Sequence, residues 1–389
     1  MEYFDKYVSD TYAGSSNQLF FNSDGKKTDT GRLFYKVSVG GKHNYSFLFT
    51  NIIDSTFANG EISHKNLICD EWDITGMRVG ISKDRRLDNV VTYGNYNEKS
   101  VTMGESDSDI NVGVFTDITF CGNKTKKVMP GEFFTTDPVE IEIEKDDYIC
   151  IEISFKGKMI PYHEESIISA FIKNDNRWTG SKYMPFPAMI GCDRKVDLKV
   201  GYIGDSITQG CGTEVNSYAH WNAVVSELLG DNNSYWNLGI GYGRANDAAA
   251  DGSWLFKAKQ CDAVCVCFGV NDILRGLEPE QTKKDLEAIV DNLHEAGKKV
   301  LIQTIPPFDY KDENILKWKS VNQFIRNVLK EKTEGFFDCV PVLCDDGKDS
   351  PNAKFGGHPN AEGCEQWAKA LYPEMKRFLE IVKNERKIK

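Results

Sequence analysis

No run of apolar residues in this chain approaches the ~18 that a membrane-spanning helix needs. Its first ten residues, Met1 to Asp10, hold no basic region followed by an apolar one. The first absence excludes a helical membrane protein and the second a secretory signal, so a cytoplasmic protein is expected. Positive charge is also short. Lys and Arg number 47 against 58 Asp and Glu, a net charge of −11, and the basic residues cluster only in the tail 383–389. Nucleic acid and anionic membrane are therefore not expected as partners. There is no Cys-x-x-Cys pair among the 11 cysteines. An odd number of thiols in a chain large enough to build a core suits free buried cysteines better than a disulfide framework. Cys265 and Cys267 share one face of an apolar run and read as core. Histidine is scarce as well. His43, His64 and His163 are scattered through the first half without an acidic or thiol partner at ligand spacing, so no metal site is expected. Residues 104–110, Gly-Glu-Ser-Asp-Ser-Asp-Ile, lack the central glycine and terminal glutamate of a calcium loop and read as a solvated turn. No cofactor is called for.

What is present is an ordinary globular composition, 40% hydrophobic and 27% charged, in 389 residues, which suits about two domains. From about Leu19 to Phe155 the pattern is short runs with period-two alternation, among them 34–39, 45–49 and 111–115. Residues 139–144 alternate strictly, and 148–155 follow across 145–147, which reads as a hairpin with one wet face. Many strands and almost no helical periodicity predict an antiparallel sandwich or jelly roll over 1–185, with 167–195 joining it to the rest. No carbohydrate-binding motif is evident in this half.

Over 186–389 strand and helix patterns alternate. Apolar strands are predicted at 198–203, 234–238, 263–268, 300–304 and 336–342. Between them fall a helix capped by Ser217, one opened by Pro279 and closed by Gly297, and one carrying Val321, Phe324, Ile325, Val328 and Leu329. A final helix carries Trp367, Leu371, Met375, Phe378 and Leu379, with a break expected at Pro373. This order predicts a parallel three-layer α/β sheet. The segments that follow its strands, at Ser206, 239–243, 269–272 and 344–360, should meet at one edge.

Acyl transfer needs a nucleophile, a base and donors for an oxyanion. Ser206 stands just past the first of these strands, in Gly204-Asp205-Ser206. On local sequence alone it could equally cap the next helix. Three histidines fall in the second half. His220 and His294 lie within predicted helices, whereas His358, in Gly356-Gly357-His358-Pro359-Asn360, lies in the loop after the last strand. The N–H of Ser206, a glycine N–H from 239–243 and the Asn271 side-chain amide are the candidate donors. A dinucleotide loop at Gly239-Ile240-Gly241-Tyr242-Gly243 is disfavoured, because its spacing is GxGxG and it follows the second strand.

These blocks resemble the SGNH (GDSL-type) hydrolases. The match runs over roughly 195–389 and rests on Gly204-Asp205-Ser206, Gly269-Val270-Asn271-Asp272 and His358-Pro359. The family's Asn-x-x-x-x-Gly is not met from Asn237, since five residues on is Tyr242. The oxyanion glycine is then Gly243, or Gly241. The family's Asp-x-x-His is also not met, since Phe355 stands three before His358. The resemblance then implies a Ser206–His358 dyad whose imidazole is oriented by the Phe355 carbonyl, or else by Asp345, Asp346 or Asp349. Residues 118–123, 129–131 and 136–139 are similar to the β domain that precedes some bacterial SGNH esterases. By that resemblance the expected activity is removal of acetyl groups from carbohydrate, with acetyl-xylan or its oligosaccharides the leading substrate. A lysophospholipase or thioesterase and a non-catalytic glycan-binding protein remain alternatives, and a homo-oligomer is left open.

Overall fold

The computed structural model describes residues 2–14, 16–55, 57–58, 62–63, 66–89, 110–175 and 177–388. His64 and residues 104–109 lie outside them. The chain forms two compact units. One comprises Met1–Asp54, Asn66–Arg194 and Glu214–Tyr218, and the other Ser55–Lys65, Lys195–Thr213 and Ala219–Lys389. The division falls at 194/195 rather than 185/186 because Met189–Cys192 is a strand that pairs with Gly40–Thr50 of the first unit.

The first unit is built of antiparallel strands. One sheet holds Gly40–Thr50 with Met189–Cys192, Phe133–Thr135 and Val139–Glu144 along it. A second is centred on Tyr148–Gly157, which pairs with Asp29–Lys36 on one side and Trp72–Ser82 on the other. The segments 139–144 and 148–157 are thus not a hairpin: their turn, with Asp146 at φ 69°, carries the chain from one sheet to the other. The alternation is obeyed all the same. Ile141 and Ile143 from one sheet, and Ile149, Ile151 and Ile153 from the other, enter a single core with Phe47, Phe49 and Phe134, as in a β-sandwich. Residues 111–115 form no strand. The stretch expected to join the domains instead supplies strands Ser169–Asn174 and Arg177–Gly180 to the second sheet.

The second unit alternates in the predicted sense. β1 (Lys199–Gly204) leads into α1 (Ser206–Gln209), α2 (Trp221–Leu229) and β2 (Ser234–Asn237). Next come α3 (Ala245–Ala249), α4 (Ser253–Ala258), β3 (Ala263–Cys267), α5 (Val270–Leu274) and α6 (Pro279–Glu295). Then follow β4 (Lys299–Gln303), α7 (Glu313–Asn327), β5 (Gly335–Phe337), α8 (Val340–Leu343) and α9 (Ala361–Ile388). All neighbours in the sheet are parallel, in the order β2-β1-β3-β4-β5. This is the flavodoxin-like order, whose switch point flanks β1 and marks where such sheets open a crevice at their carboxyl ends.

Three boundaries differ from expectation. Ser217 caps no helix. It donates to the Glu214 carbonyl at 2.7 Å, and α2 starts at Trp221. The last strand stops at Phe337, because Asp338 accepts from the Val340 N–H at 3.2 Å and Pro341, which has no ladder donor, sits in the first turn of α8. Pro373 does not break α9, where Trp367, Leu371, Met375 and Phe378 are fully buried on one face and hold the helix across it. No disulfide forms, and every cysteine but Cys121 is buried. Among the described residues no helix is long and apolar enough to cross a membrane.

The sandwich core makes a direct stability claim. Ile151→Ala removes a side chain with 0% exposure from a central strand and should cost about 2–5 kcal/mol in urea unfolding. Glu142→Ala, on an outward-facing position, should change stability by less than about 0.5 kcal/mol.

Candidate active site

β1 delivers Ser206. Gly204 ends the strand where a Cβ would lie 2.5 Å from the Cys267 carbonyl oxygen and against the Thr208 side chain, so only glycine lets the chain turn there. Asp205 caps α1, its Oδ1 accepting from the Ile207 N–H at 3.0 Å. Ser206 is the first residue of the helix, and its N–H is among those a helix leaves without an intrahelical partner. The end of β2 braces this turn. Asn237 donates to the Gln209 carbonyl at 3.3 Å and accepts from the Gly239 N–H at 2.9 Å.

The loop before α9 brings His358 to the same point. Its Nε2 lies 2.8 Å from Ser206 Oγ. The imidazole packs edge to face on Phe308, centroids 5.1 Å apart. Its backbone is held by the loop after α1: Gly212 has φ 97°, and a Cβ there would stand 2.8 Å from the carbonyl oxygens of both His358 and Pro359. Burial of the ring pushes its pKa down to about 4, so it is neutral, and able to accept a proton, across the moderate pH range.

The groups expected to orient this ring also have contacts of their own. Asp345 accepts from the Asn352 side chain at 3.2 Å. Asp346 Oδ1 caps its own turn through the Lys348 N–H at 2.8 Å and the Ser350 N–H at 3.2 Å. Asp349 pairs with Arg326 at 3.0 Å. The Phe355 carbonyl accepts from the Asn360 N–H at 3.2 Å. Packing helps to place the ring, with Phe308 against the imidazole and Gly212 against its backbone.

The third strand end adds an amide. Asn271 lies in α5, directly after β3, and donates from Nδ2 to the Gly243 carbonyl at 3.1 Å, which leaves its second N–H. Beside it Asp272 accepts from the N–H groups of Ala245 at 3.0 Å and Asn246 at 3.3 Å, tying α5 to the start of α3. Burial pushes Asp205 and Asp272 up to about 7, against the lowering effect of the backbone N–H groups each accepts from. Of the two glycines, Gly243 has its N–H bonded to the Ile240 carbonyl at 3.1 Å, closing a turn that places Tyr242 at φ 60°. Gly243 is packed as well, since a Cβ would meet Trp254 at 2.5 Å. The Gly241 N–H makes no hydrogen bond within the described residues.

Neither His220 nor His294 touches Ser206, although His220 Nε2 lies 3.5 Å from the Asn237 amide that braces its turn. His220 is the buried residue just before α2, and His294 contacts Glu334 at 3.2 Å. His43 does have an acidic neighbour. Strand pairing brings Asp193 to 3.5 Å, with Cys192 adjacent, which linear spacing does not reveal. Sequence reasoning missed Phe308. It lies in the loop after β4, and the same strand-end rule that singled out the other loops points to it.

A serine in the turn after the first strand, a histidine before the last helix and an amide after the third strand thus have the arrangement that a serine hydrolase-type site requires. Residues 202–366 match the family described as GDSL-like Lipase/Acylhydrolase. No curated protein matches the chain. Among solved structures, a member of the lipolytic G-D-S-L family from Veillonella parvula is 18% identical, with a TM-score of 0.38, over 46% of this chain and 98% of that one. A psychrotrophic esterase from a Pseudoalteromonas species is 17% identical, with a TM-score of 0.35, over 47% and 98%. A variant acetyl xylan esterase of Geobacillus stearothermophilus is 19% identical, with a TM-score of 0.37, over 46% and 95%.

Two outcomes follow from this geometry. Gly212→Val should push the His358 backbone away and lower kcat by on the order of 10²-fold in a folded protein, the usual penalty for an ångström of misplacement; unchanged turnover would show that the contact positions nothing. The acid limb of kcat/KM for an uncharged ester should centre near pH 4, not near the ordinary histidine value of ~6.5. The sign for stability is the same: the unfolded chain takes up this proton first, so falling pH destabilises the fold between those two values.

Proposed function

We propose that this chain is a serine esterase that removes acetyl groups from acetylated carbohydrate, with xylan-derived oligosaccharides the leading substrate. The observation that carries the hydrolase reading is the 2.8 Å contact between Ser206 Oγ and His358 Nε2. The acetyl-carbohydrate part is supported by domain order, an antiparallel β-sandwich ahead of the region that matches the GDSL-like family, as in the carbohydrate esterases the sequence resembles.

A serine hydroxyl is a poor nucleophile until its proton has somewhere to go. His358 Nε2 takes that proton as Oγ forms a bond to the ester carbonyl carbon. The carbonyl electron pair moves to oxygen. Ser206 N–H and the second amide hydrogen of Asn271 receive the oxyanion, where preorganised donors in a water-poor site have most effect. Gly241 is better disposed than Gly243 to give a third donor, because the Gly243 N–H already closes its turn. When the oxyanion collapses, the C–O bond to the alcohol breaks and the imidazolium returns its proton to the leaving oxygen. Water then repeats the sequence on the acyl-serine, releasing acetate and restoring the hydroxyl.

Ser206→Ala should abolish hydrolysis of p-nitrophenyl acetate above background, and Asn271→Ala should lower kcat by about 10²–10³-fold with little change in KM. The wild type should release acetate from acetylated xylo-oligosaccharides and prefer acetyl to octanoyl aryl esters. Full activity in Ser206→Ala would remove the serine from the mechanism. Preference for the longer chain would replace the acetyl reading with a lysophospholipase or thioesterase.

A further inference from the structure

The outward face of the second antiparallel sheet carries a cleft of about 250 Å³ that the proposed chemistry does not use. A β-bulge forms it. Against Tyr148–Gly157 the register runs Ser154 to Gly76 and then Phe155 to Ile74, so Thr75 is an extra residue. Ile74 and Met77 both enter the core, which leaves Thr75 and Gly76 together on the outer side. A Cβ on Gly76 would meet nothing within 4 Å, so this glycine lies under open space.

The walls are polar, and the lining carries two cations, Arg78 and Lys124, and two carboxylates, Glu152 and Asp117. Glu152 is held between Arg32 at 2.8 Å and Arg78 at 2.6 Å, with its side chain 11% exposed. The guanidinium of Arg78 lies over Phe115 at 4.3 Å and that of Arg32 over Trp178 at 4.2 Å, so neither arginine is a loose surface chain. Asp117 and Lys124 pair on the other wall at 2.5 Å. Ser154 is set by a 2.8 Å hydrogen bond with Thr30.

Each cation that lines the cleft faces a carboxylate, Arg78 on Glu152 and Lys124 on Asp117, and Arg32, the second partner of Glu152, is not part of the lining, so the lining itself offers an ion no unbalanced charge. An apolar ligand would strand the polar walls. A ligand with neighbouring hydroxyls, each both donor and acceptor, matches a carboxylate and a guanidinium fixed side by side. We propose that this cleft binds an uncharged sugar residue of an oligosaccharide, as a site separate from the Ser206 centre. That the sugar belongs to the carbohydrate on which the esterase acts rests on the reading above; that the cleft takes an uncharged sugar does not.

The test is calorimetric titration of the full chain with unacetylated xylotetraose, cellotetraose and mannotetraose. At least one should bind saturably. Gly76→Phe, whose Cβ has clear space and whose ring would occupy the cleft, should weaken that binding by about tenfold or more, a loss of roughly 1.4 kcal/mol. Arg78→Ala should weaken it too, while both variants hydrolyse p-nitrophenyl acetate as the wild type does. Absence of binding by all three sugars, or equal binding by Gly76→Phe, overturns the proposal, as does preference for tetragalacturonate. The two readings fail separately: aryl acetate hydrolysis reports on Ser206 alone, and sugar binding lost in Gly76→Phe reports on the cleft alone.

Discussion

The hydrogen bond between Ser206 Oγ and His358 Nε2 joins residues 152 apart in sequence, and the second unit is arranged so that it can form. A bond of this kind contributes only about 1 kcal/mol net, so it cannot pull two loops together by itself. The scaffold must place them. Parallel strands put every strand-to-helix loop at one edge, and the order β2-β1-β3-β4-β5 puts β1 where the chain parts to either side. Close approach does the rest: Gly204 and Gly212 let backbones meet where a Cβ would not fit, and Asp205, Asn237 and Asp272 tie the loop starts to their neighbours through backbone groups.

The same packing sets the electrostatics. A ring enclosed by Phe308 and by the backbone of its own loop is desolvated, so its charged form is disfavoured and its pKa falls. Burial raises Asp205 and Asp272 for the matching reason, since the form it disfavours in a carboxylic acid is the anion. Asp345, Asp346 and Asp349 make contacts that help to fold the 344–360 loop.

Much of this was legible in the residues. Five apolar runs alternating with helical patterns led to the parallel sheet, and Ser206, Asn271 and His358 drew notice by standing at strand ends. What escaped depends on contacts that spacing does not encode. The strands at 139–144 and 148–157 show the right in-and-out pattern but join different sheets, because alternation reports which side is buried and says nothing about the pairing partner. Pro373 is a helix breaker by propensity, yet four buried side chains hold α9 through it. The turn that engages the Gly243 N–H and the ring contact of Phe308 are three-dimensional facts, and so is the approach of Asp193 to His43. The bulge at Thr75 is invisible in sequence for the same reason, since it exists only relative to the partner strand.

The proposed chemistry requires Ser206 to be an activated nucleophile. Incubating the full chain with a fluorophosphonate and mapping the adduct by peptide mass spectrometry addresses this without any assumption about substrate. A single stoichiometric adduct on Ser206 is expected, formed far more slowly when His358 is replaced by Asn. An unlabelled Ser206 in folded protein, or labelling at an unchanged rate in His358→Asn, would contradict that chemistry.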